Sequence, residues 1–307
     1  MITATLYTDP GCPWAYSENP ALRVIEWRYG DQLDWKLVMV GLTETSDQYA
    51  SRGYTPVRGA LSQLHFRNRY GMPFSARPKP AISATSPACR AIVAARLRAP
   101  GSEWPVFRAI QLANFTTDLV LEDHDGLHGV LATVPGVDAD EIVAAIDADD
   151  VRAAYEADKL ATRSAAGTSA ELQGKTSTSD GPVRFTAPSV VLQRDGRELV
   201  AGGFQPVEAY DVLVTNLDPT LARQAPPETP EPLLDRFGSG LTTQEVAAVM
   251  THGNDAVDRP AAEAALIELV AAGRATRHAL GNDALWLSAS SPAAEARALA
   301  GAGAAAS

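Results

Sequence analysis

The N-terminal part of the chain changes between strand and helix patterns in a way that few folds accommodate. Residues 4–8 form a short β-prone run, and residues 13–29 carry apolar side chains at helical spacing before Gly30. Residues 33–40 then read as a second strand with apolar side chains on both faces. Such strands suit a sheet that helices cover on both sides. The pattern therefore predicts a strand–helix–strand unit at the start of an α/β domain.

The remainder of this domain follows a recognisable order. The region from about 57 to 170 has mainly helical patterns, and two strands are predicted at 189–193 and 198–201. Asp195-Gly196 between these strands indicates a tight hairpin. A closing helix is predicted at 205–216. The whole order predicts a thioredoxin-like α/β fold with a helical insertion.

Charge and composition exclude several kinds of partner. The formal net charge is −11, which argues against nucleic acid or an anionic membrane surface. Two cysteines are too few for a disulfide framework, and the sequence begins without a basic leader segment. We therefore expect a cytoplasmic protein with neither nucleic acid nor membrane among its partners, of unassigned oligomeric state.

A proline-rich segment predicts the domain boundary. Residues 224–232 contain four prolines in nine positions, a composition typical of an extended linker. We therefore divide the chain into a domain at 1–223, a linker at 224–232, a module at 233–288 and an Ala/Gly-rich tail at 289–307. The tail is interpreted as a frayed helix or disorder.

The C-terminal module has a winged-helix-like pattern. A helix capped by Thr242, a second helix starting at Pro260 and a hairpin around 281–283 are predicted in that order. Modules of this kind often bind DNA. However, residues 233–288 contain four arginines and no lysine against seven acidic residues. A module that binds double-stranded DNA needs a net positive charge, and this one is negative. We therefore predict that it packs on the first domain or contacts another protein.

Cys12 is the main candidate for chemistry. It opens the tetrapeptide Cys12-Pro13-Trp14-Ala15 where a strand ends and a helix begins. The free N–H groups at a helix N-terminus favour a thiolate, and we expect them to lower the pKa of this cysteine. A buried, inert cysteine is the alternative interpretation. Ala15 stands where a two-thiol catalyst would carry its second cysteine.

Three segments resemble the DsbA-like branch of the thioredoxin superfamily, near the two-hydroxychromene-carboxylate isomerases and kappa-class glutathione transferases. They are residues 9–16 around Cys12, residues 69–74 and residues 183–189, and the similarity extends over about 3–217. The resemblance implies that Cys12 is the attacking thiol and that Pro188 is a cis-proline beside it. It further implies that the backbone at Ala187 pairs with an extended peptide or thiol substrate. We expect Pro13 and Trp14 to contribute to substrate binding.

These residues leave three functions open. The first is a DsbA-like oxidoreductase with one active-site cysteine, whose second sulfur comes from a glutathione-like or mycothiol-like small thiol. The second is a thiol-dependent isomerase or transferase of the same family. The third is a non-catalytic, protein-binding adaptor that kept the fold. We lean towards an enzyme without a tightly bound cofactor.

Other residues that could react or bind a metal are interpreted as structural. Cys89 lies on the apolar face of an insertion helix, which favours a core role. His124 and His128 have i, i+4 spacing, but Gly126 and Gly129 are expected to interrupt any helix there. We therefore predict no metal site.

Overall fold

The computed structural model describes residues 1–179 and 181–305. The strands, labelled in chain order, are β1 (Ile2–Thr8), β2 (Leu33–Met39), β3 (Thr176–Ser177), β4 (Arg184–Phe185), β5 (Ser189–Arg194), β6 (Arg197–Gly202), β7 (Leu241–Thr242), β8 (Ala275–Leu280) and β9 (Asp283–Ser288). The helices are α1 (Pro13–Ser17), α2 (Asn19–Tyr29), α3 (Ser46–Ala50), α4 (Pro56–Tyr70), α5 (Ser86–Arg98), α6 (Glu103–Thr116), α7 (His124–Leu131), α8 (Ala139–Ala145), α9 (Asp149–Thr162), α10 (Ser169–Leu172), α11 (Val207–Leu217), α12 (Glu231–Arg236), α13 (Thr243–Met250), α14 (Arg259–Ala271) and α15 (Pro292–Ala305).

A four-stranded mixed sheet with the order β2-β1-β5-β6 forms the centre of the first domain. Strand β1 runs parallel to β2 and antiparallel to β5, and Leu6 pairs with Leu37 on one side and Val190 on the other. The hairpin between β5 and β6 turns through Asp195 and Gly196, which both have positive φ. The predicted strand–helix–strand unit, the hairpin and the thioredoxin-like α/β order are confirmed.

The helical insertion follows β2 and packs on the sheet through an apolar core. Helix α5 is central to it, because its residues from Ala91 to Ala95 are all fully buried. One local prediction in this region is wrong. Residues 124–131 form helix α7 despite Gly126 and Gly129, because Asp123 caps its N-terminus and Leu127 is buried on its inner face. A side chain at position 126 would clash with Asp123 and Leu119, so the glycine permits the close packing.

The C-terminal module packs directly on the first domain. Its three-stranded sheet has the order β7-β9-β8, and Thr242 and Glu245 form the expected capping box of α13. Val24 and Trp27 of α2 belong to the same apolar cluster as Trp286 of β9. The expected packing on the first domain is therefore confirmed, whereas assignment to the winged-helix class stays a prediction.

The predicted linker is held against the first domain. Trp27 Nε1 donates a hydrogen bond to the Ala225 carbonyl at 2.8 Å, and Gln224 N donates to the Arg28 carbonyl at 2.8 Å. Helix α12 already begins at Glu231, inside the range predicted as linker. The domain boundaries themselves stay a prediction.

Most of the predicted tail is an ordered helix. Helix α15 begins at Pro292, and Ala293 and Ala294 are buried in a cluster with Phe66 and Phe74 of the first domain. Residues 306 and 307 of the tail lie outside the described residues.

Candidate active site

Cys12 lies at the junction of β1 and α1, which is the position that the sequence predicted. It is the N-cap residue of α1, with extended backbone geometry, and Pro13 occupies the first turn. Proline fits there because its missing N–H has no partner inside a helix. The thiol is therefore held beside the free amides of the first helical turn.

Ala187 and Pro188 lie directly opposite this thiol. The Cys12 Sγ donates a hydrogen bond to the Ala187 carbonyl at 3.1 Å, and the Ala187–Pro188 peptide bond is cis. Ala15 and Val40 complete a small apolar cluster with Cys12 and Ala187. The structure thus brings together the cysteine and the proline segment that the family resemblance paired.

The expected lowering of the Cys12 pKa is wrong for this arrangement. Burial leaves the side chain 5% exposed and raises the pKa of the thiol to about 12. The amides of Ala15 and Trp14 and the charge of Arg184 act in the opposite direction, but Asp9 adds to the effect of burial. Desolvation of the charged form therefore outweighs the helix N-terminus, and the resting thiol is neutral.

The pH dependence of Cys12 alkylation tests this conclusion. Because iodoacetamide reacts with the thiolate, the rate constant at Cys12 should rise about tenfold per pH unit from pH 6 to pH 10, without a plateau. The measurement is mass spectrometry of the Cys12 peptide after timed labelling, with Cys12→Ser giving the background from Cys89. A plateau below pH 8 would show that the helix N-terminus dominates instead.

Asp9 organises the loop that carries Cys12, a role that was not predicted from the sequence. Its carboxylate is fully buried and accepts hydrogen bonds from Gly11 N at 2.8 Å, Leu42 N at 2.8 Å and Thr85 Oγ1 at 2.9 Å. Burial raises the pKa of Asp9, and these donors partly offset that rise. The carboxylate thereby joins the Cys12 loop to the segment after β2 and to the start of α5.

Cys89 approaches the same carboxylate from the insertion. It is fully buried in the main apolar core, and its Sγ lies 3.6 Å from Asp9 Oδ2. Burial raises the pKa of Cys89 well above its ordinary value. The core position agrees with the sequence-based interpretation, and the contact with Asp9 adds a polar role to it.

An open cavity of about 500 Å³ lies in front of Cys12. Trp14 lies at its edge, 45% exposed, with its ring in edge contact with Phe66, Tyr70 and Phe204. Pro13 also lines the cavity, whereas Ala187 and Pro188 are not among its described lining residues. Cavities of this size accommodate small-molecule ligands. Of the residues predicted to bind substrate, Pro13 and Trp14 therefore line the cavity, whereas Ala187 contacts the Cys12 thiol.

Several basic residues of the cavity could not be identified from the sequence. Arg52 precedes α4, Arg58 lies in α4, Arg77 and Lys79 lie in the loop between α4 and α5, and Arg184 comes from β4. They are scattered along the sequence, so no local motif signals their convergence. Among the described residues, no group of three or more metal-binding side chains occurs, and His128 instead lies 3.1 Å from Asp140.

Comparison with solved structures identifies the fold. No protein-family model matches the sequence, and neither does any curated protein. Among solved structures, a probable DsbA oxidoreductase from Streptomyces coelicolor is similar with a TM-score of 0.54 and 18% identity, over 72% of this chain and 91% of the other. The cytosolic disulfide reductase DsbM from Pseudomonas aeruginosa is similar with a TM-score of 0.50 and 21% identity, over 70% of this chain and 98% of the other. The chain therefore has the DsbA-like thioredoxin fold.

Proposed function

We propose that the protein is a thiol–disulfide oxidoreductase that uses Cys12 as its single reactive cysteine and a low-molecular-weight thiol as the second sulfur. The observation that carries the proposal is the position of Cys12. Cys12 is the N-cap residue of a helix, its thiol lies 3.1 Å from the carbonyl before a cis-proline, and the residue lines an open cavity. Ala15 cannot supply a resolving thiol, so an external one is required.

The reaction proceeds by two disulfide exchanges. The Cys12 sulfur attacks one sulfur of a substrate disulfide, the substrate S–S bond breaks, and a new S–S bond joins Cys12 to half of the substrate. The Cys12 proton leaves with the displaced sulfur as a free thiol. A second small thiol then attacks the mixed disulfide, which returns Cys12 to its reduced form and releases a new disulfide.

Ala187 controls when the thiol becomes reactive. In the resting structure its carbonyl accepts the Cys12 S–H, which favours the neutral thiol. A substrate N–H that donates to this carbonyl displaces the Cys12 S–H from it. The neutral form of Cys12 then loses this stabilising hydrogen bond. Arg184, whose charge lowers the pKa of Cys12, then assists ionisation. Reactivity is thereby linked to substrate binding.

The comparisons support the compartment and the type of thiol. The similar reductase from Pseudomonas aeruginosa is described as cytosolic, and it has also been solved with GSH. No helix among the described residues is long and apolar enough to cross a membrane. We propose the cytoplasm as the location and a glutathione-like thiol as the partner.

Turnover of a small mixed disulfide tests the proposal. Reduction of a cysteine–glutathione disulfide by excess glutathione should be catalysed by the full chain and fall at least about a hundredfold in Cys12→Ser, because no other described thiol lines the cavity. Cys89→Ser, which keeps a donor towards Asp9, is the matched control and should retain turnover. Equal activity of Cys12→Ser and the unmodified chain would overturn the proposal.

A protein-binding adaptor is the second candidate, and the raised pKa of Cys12 favours it. A neutral, 5% exposed thiol is a poor nucleophile until something activates it. An adaptor predicts no turnover and a partner whose binding survives Cys12→Ala. Turnover that depends on Cys12 excludes it in favour of the oxidoreductase.

A further inference from the structure

The cavity in front of Cys12 has a charge opposite to that of the chain. The sequence has 37 acidic residues against 26 lysines and arginines, yet no aspartate or glutamate lines the cavity within the described part of the chain. Five basic residues do line it: Arg52, Arg58, Arg77, Lys79 and Arg184. A cleft lined by one sign of charge concentrates ligands of the opposite sign.

Two of these basic residues, Arg52 and Arg58, have no carboxylate partner among the described residues. Arg52 donates to the Ser179 carbonyl at 3.4 Å, and Arg58 donates to the Gly53 carbonyl and covers the Tyr54 ring. Arg77 makes only a long, exposed contact of 3.7 Å with Asp118.

Arginines elsewhere on the insertion behave differently. Arg96 binds both Glu103 and Asp158, and Arg98 binds Asp150 through two nitrogens. Arg52 and Arg58 therefore line the cavity without a described carboxylate partner, although the chain has an excess of carboxylates.

Lys79 is the most informative of the group. Its ammonium donates to Asn114 Oδ1 and to the Leu119 carbonyl, both at 2.5 Å, which leaves the third N–H without a described acceptor. Burial lowers the pKa of Lys79 to about 8, and the charge of Asp118 offsets only part of this effect. Asn114 in turn donates to the Pro10 carbonyl at 3.3 Å, two residues before Cys12. An anion bound at Lys79 would therefore lie near Asn114, which holds the loop that carries Cys12.

We infer that the cavity binds a small thiol or disulfide that carries at least two acidic groups, held by Lys79, Arg52 and Arg58 of its lining. The inference rests on the proposed function and narrows its thiol partner. Carboxylates and phosphates share the required chemistry. A glutathione-like thiol satisfies it through carboxylates, and a nucleotide-linked thiol does so through phosphates, whereas an uncharged sugar thiol of the mycothiol type lacks it.

A panel of disulfides tests the inference. Glutathione disulfide, coenzyme A disulfide, uncharged hydroxyethyl disulfide and cationic cystamine are each mixed with the full chain, and the rate of adduct formation at Cys12 is followed by intact mass. Each rate is divided by the rate of the same disulfide with free cysteine. We expect at least one of the two anionic disulfides to react about tenfold or more faster than the uncharged one, and the faster of the two identifies carboxylate or phosphate as the preferred group.

Charge-neutral variants show where the acidic groups bind. Arg58→Gln and Lys79→Gln should each lower the rate with the preferred anionic disulfide about tenfold, because each removes a charge-assisted hydrogen bond. Arg58→Lys should restore most of the loss. Arg152→Gln, an exposed arginine that does not line the cavity, is the matched control. The rate with hydroxyethyl disulfide should fall less than the rate with the anionic disulfide in Arg58→Gln and Lys79→Gln, so the ratio of the two rates measures the lost charge contact; in Arg152→Gln this ratio should not change.

A non-reactive ligand separates the two proposals. S-methylglutathione cannot exchange disulfides, so its binding by calorimetry measures the cavity alone. Binding that Lys79→Gln weakens supports the inference even if Cys12 never forms an adduct, a result that would defeat only the proposed function. Adduct formation at equal relative rates for all four disulfides, unchanged by Arg58→Gln and Lys79→Gln, would overturn the inference and leave the proposed function standing.

Discussion

Replacement of Glu245 by glutamine should lower the free energy of unfolding by about 3–5 kcal/mol. Glu245 is fully buried, and its carboxylate binds the two terminal nitrogens of Arg108 at 2.8 and 2.7 Å. Arg108 belongs to the insertion helix α6, whereas Glu245 belongs to α13 of the C-terminal module. The variant would leave the arginine charge buried at the contact between the two domains without its counter-charge.

Urea denaturation at pH 7 measures this effect, and the acid dependence of stability gives a control. Burial alone would raise the pKa of Glu245, but Arg108, Arg23 and the Thr242 amide together lower it below its ordinary value. The ion pair therefore contributes stability above the unfolded glutamate pKa of about 4.3 and loses it as pH falls through the lower folded pKa. Glu245→Gln should lack this contribution to the acid dependence. A loss below 1 kcal/mol at pH 7 would show that the ion pair does not hold the domains together.

The double variant Arg108→Met with Glu245→Leu separates the ion pair from simple packing. It removes both charges together, so it should be more stable than Glu245→Gln alone. If it is no more stable, the penalty comes from lost side-chain packing or from the α13 capping box rather than from an uncompensated charge.

Replacement of Ala15 by cysteine should convert the protein into a self-resolving catalyst. Ala15 lies in α1 one helical turn after Cys12 and shares its apolar cluster. The introduced thiol would attack the mixed disulfide at Cys12 from within the same motif. Because the attack becomes intramolecular, its rate should exceed that of a millimolar external thiol by at least about a hundredfold.

Single-turnover release of glutathione from the pre-formed Cys12 adduct measures this rate. The oxidised variant should also lose the mass of two hydrogens. Ala15→Ser is the matched control, since it adds a similar polar atom without a redox-active sulfur. Ala15 is only 3% exposed, so some loss of stability from the larger side chain is expected in both variants. Release that still depends linearly on external thiol would contradict the prediction.

The sequence was sufficient for the fold and for the pairing of Cys12 with the proline segment. The fold follows from the order of local strand and helix patterns, whereas the pairing of Cys12 with Pro188 was implied by the family resemblance of residues 9–16 and 183–189. The hairpin at Asp195-Gly196 and the capping box at Thr242 were also predictable, because each depends on a few adjacent residues.

The properties that the sequence did not predict depend on distant residues. The raised pKa of Cys12 results from burial by Val40 and Ala187, and no local motif reports how deeply a residue is buried. The role of Asp9 requires Leu42 and Thr85 to reach it across the fold. The basic cavity likewise forms only when the insertion folds back over the cysteine. Helix α7 was not predicted because glycine has a low intrinsic helix propensity, which does not reflect the close packing of Gly126 against Asp123 and Leu119 in the fold.

The most direct test of the account is the site of adduct formation on the intact protein. The reduced chain is incubated with glutathione disulfide at pH 8, and the modified cysteine is located by peptide mass spectrometry. The single-cysteine mechanism predicts one glutathione adduct per chain, confined to Cys12 and removed by free glutathione. An unmodified Cys12, or an adduct on Cys89 alone, would contradict it.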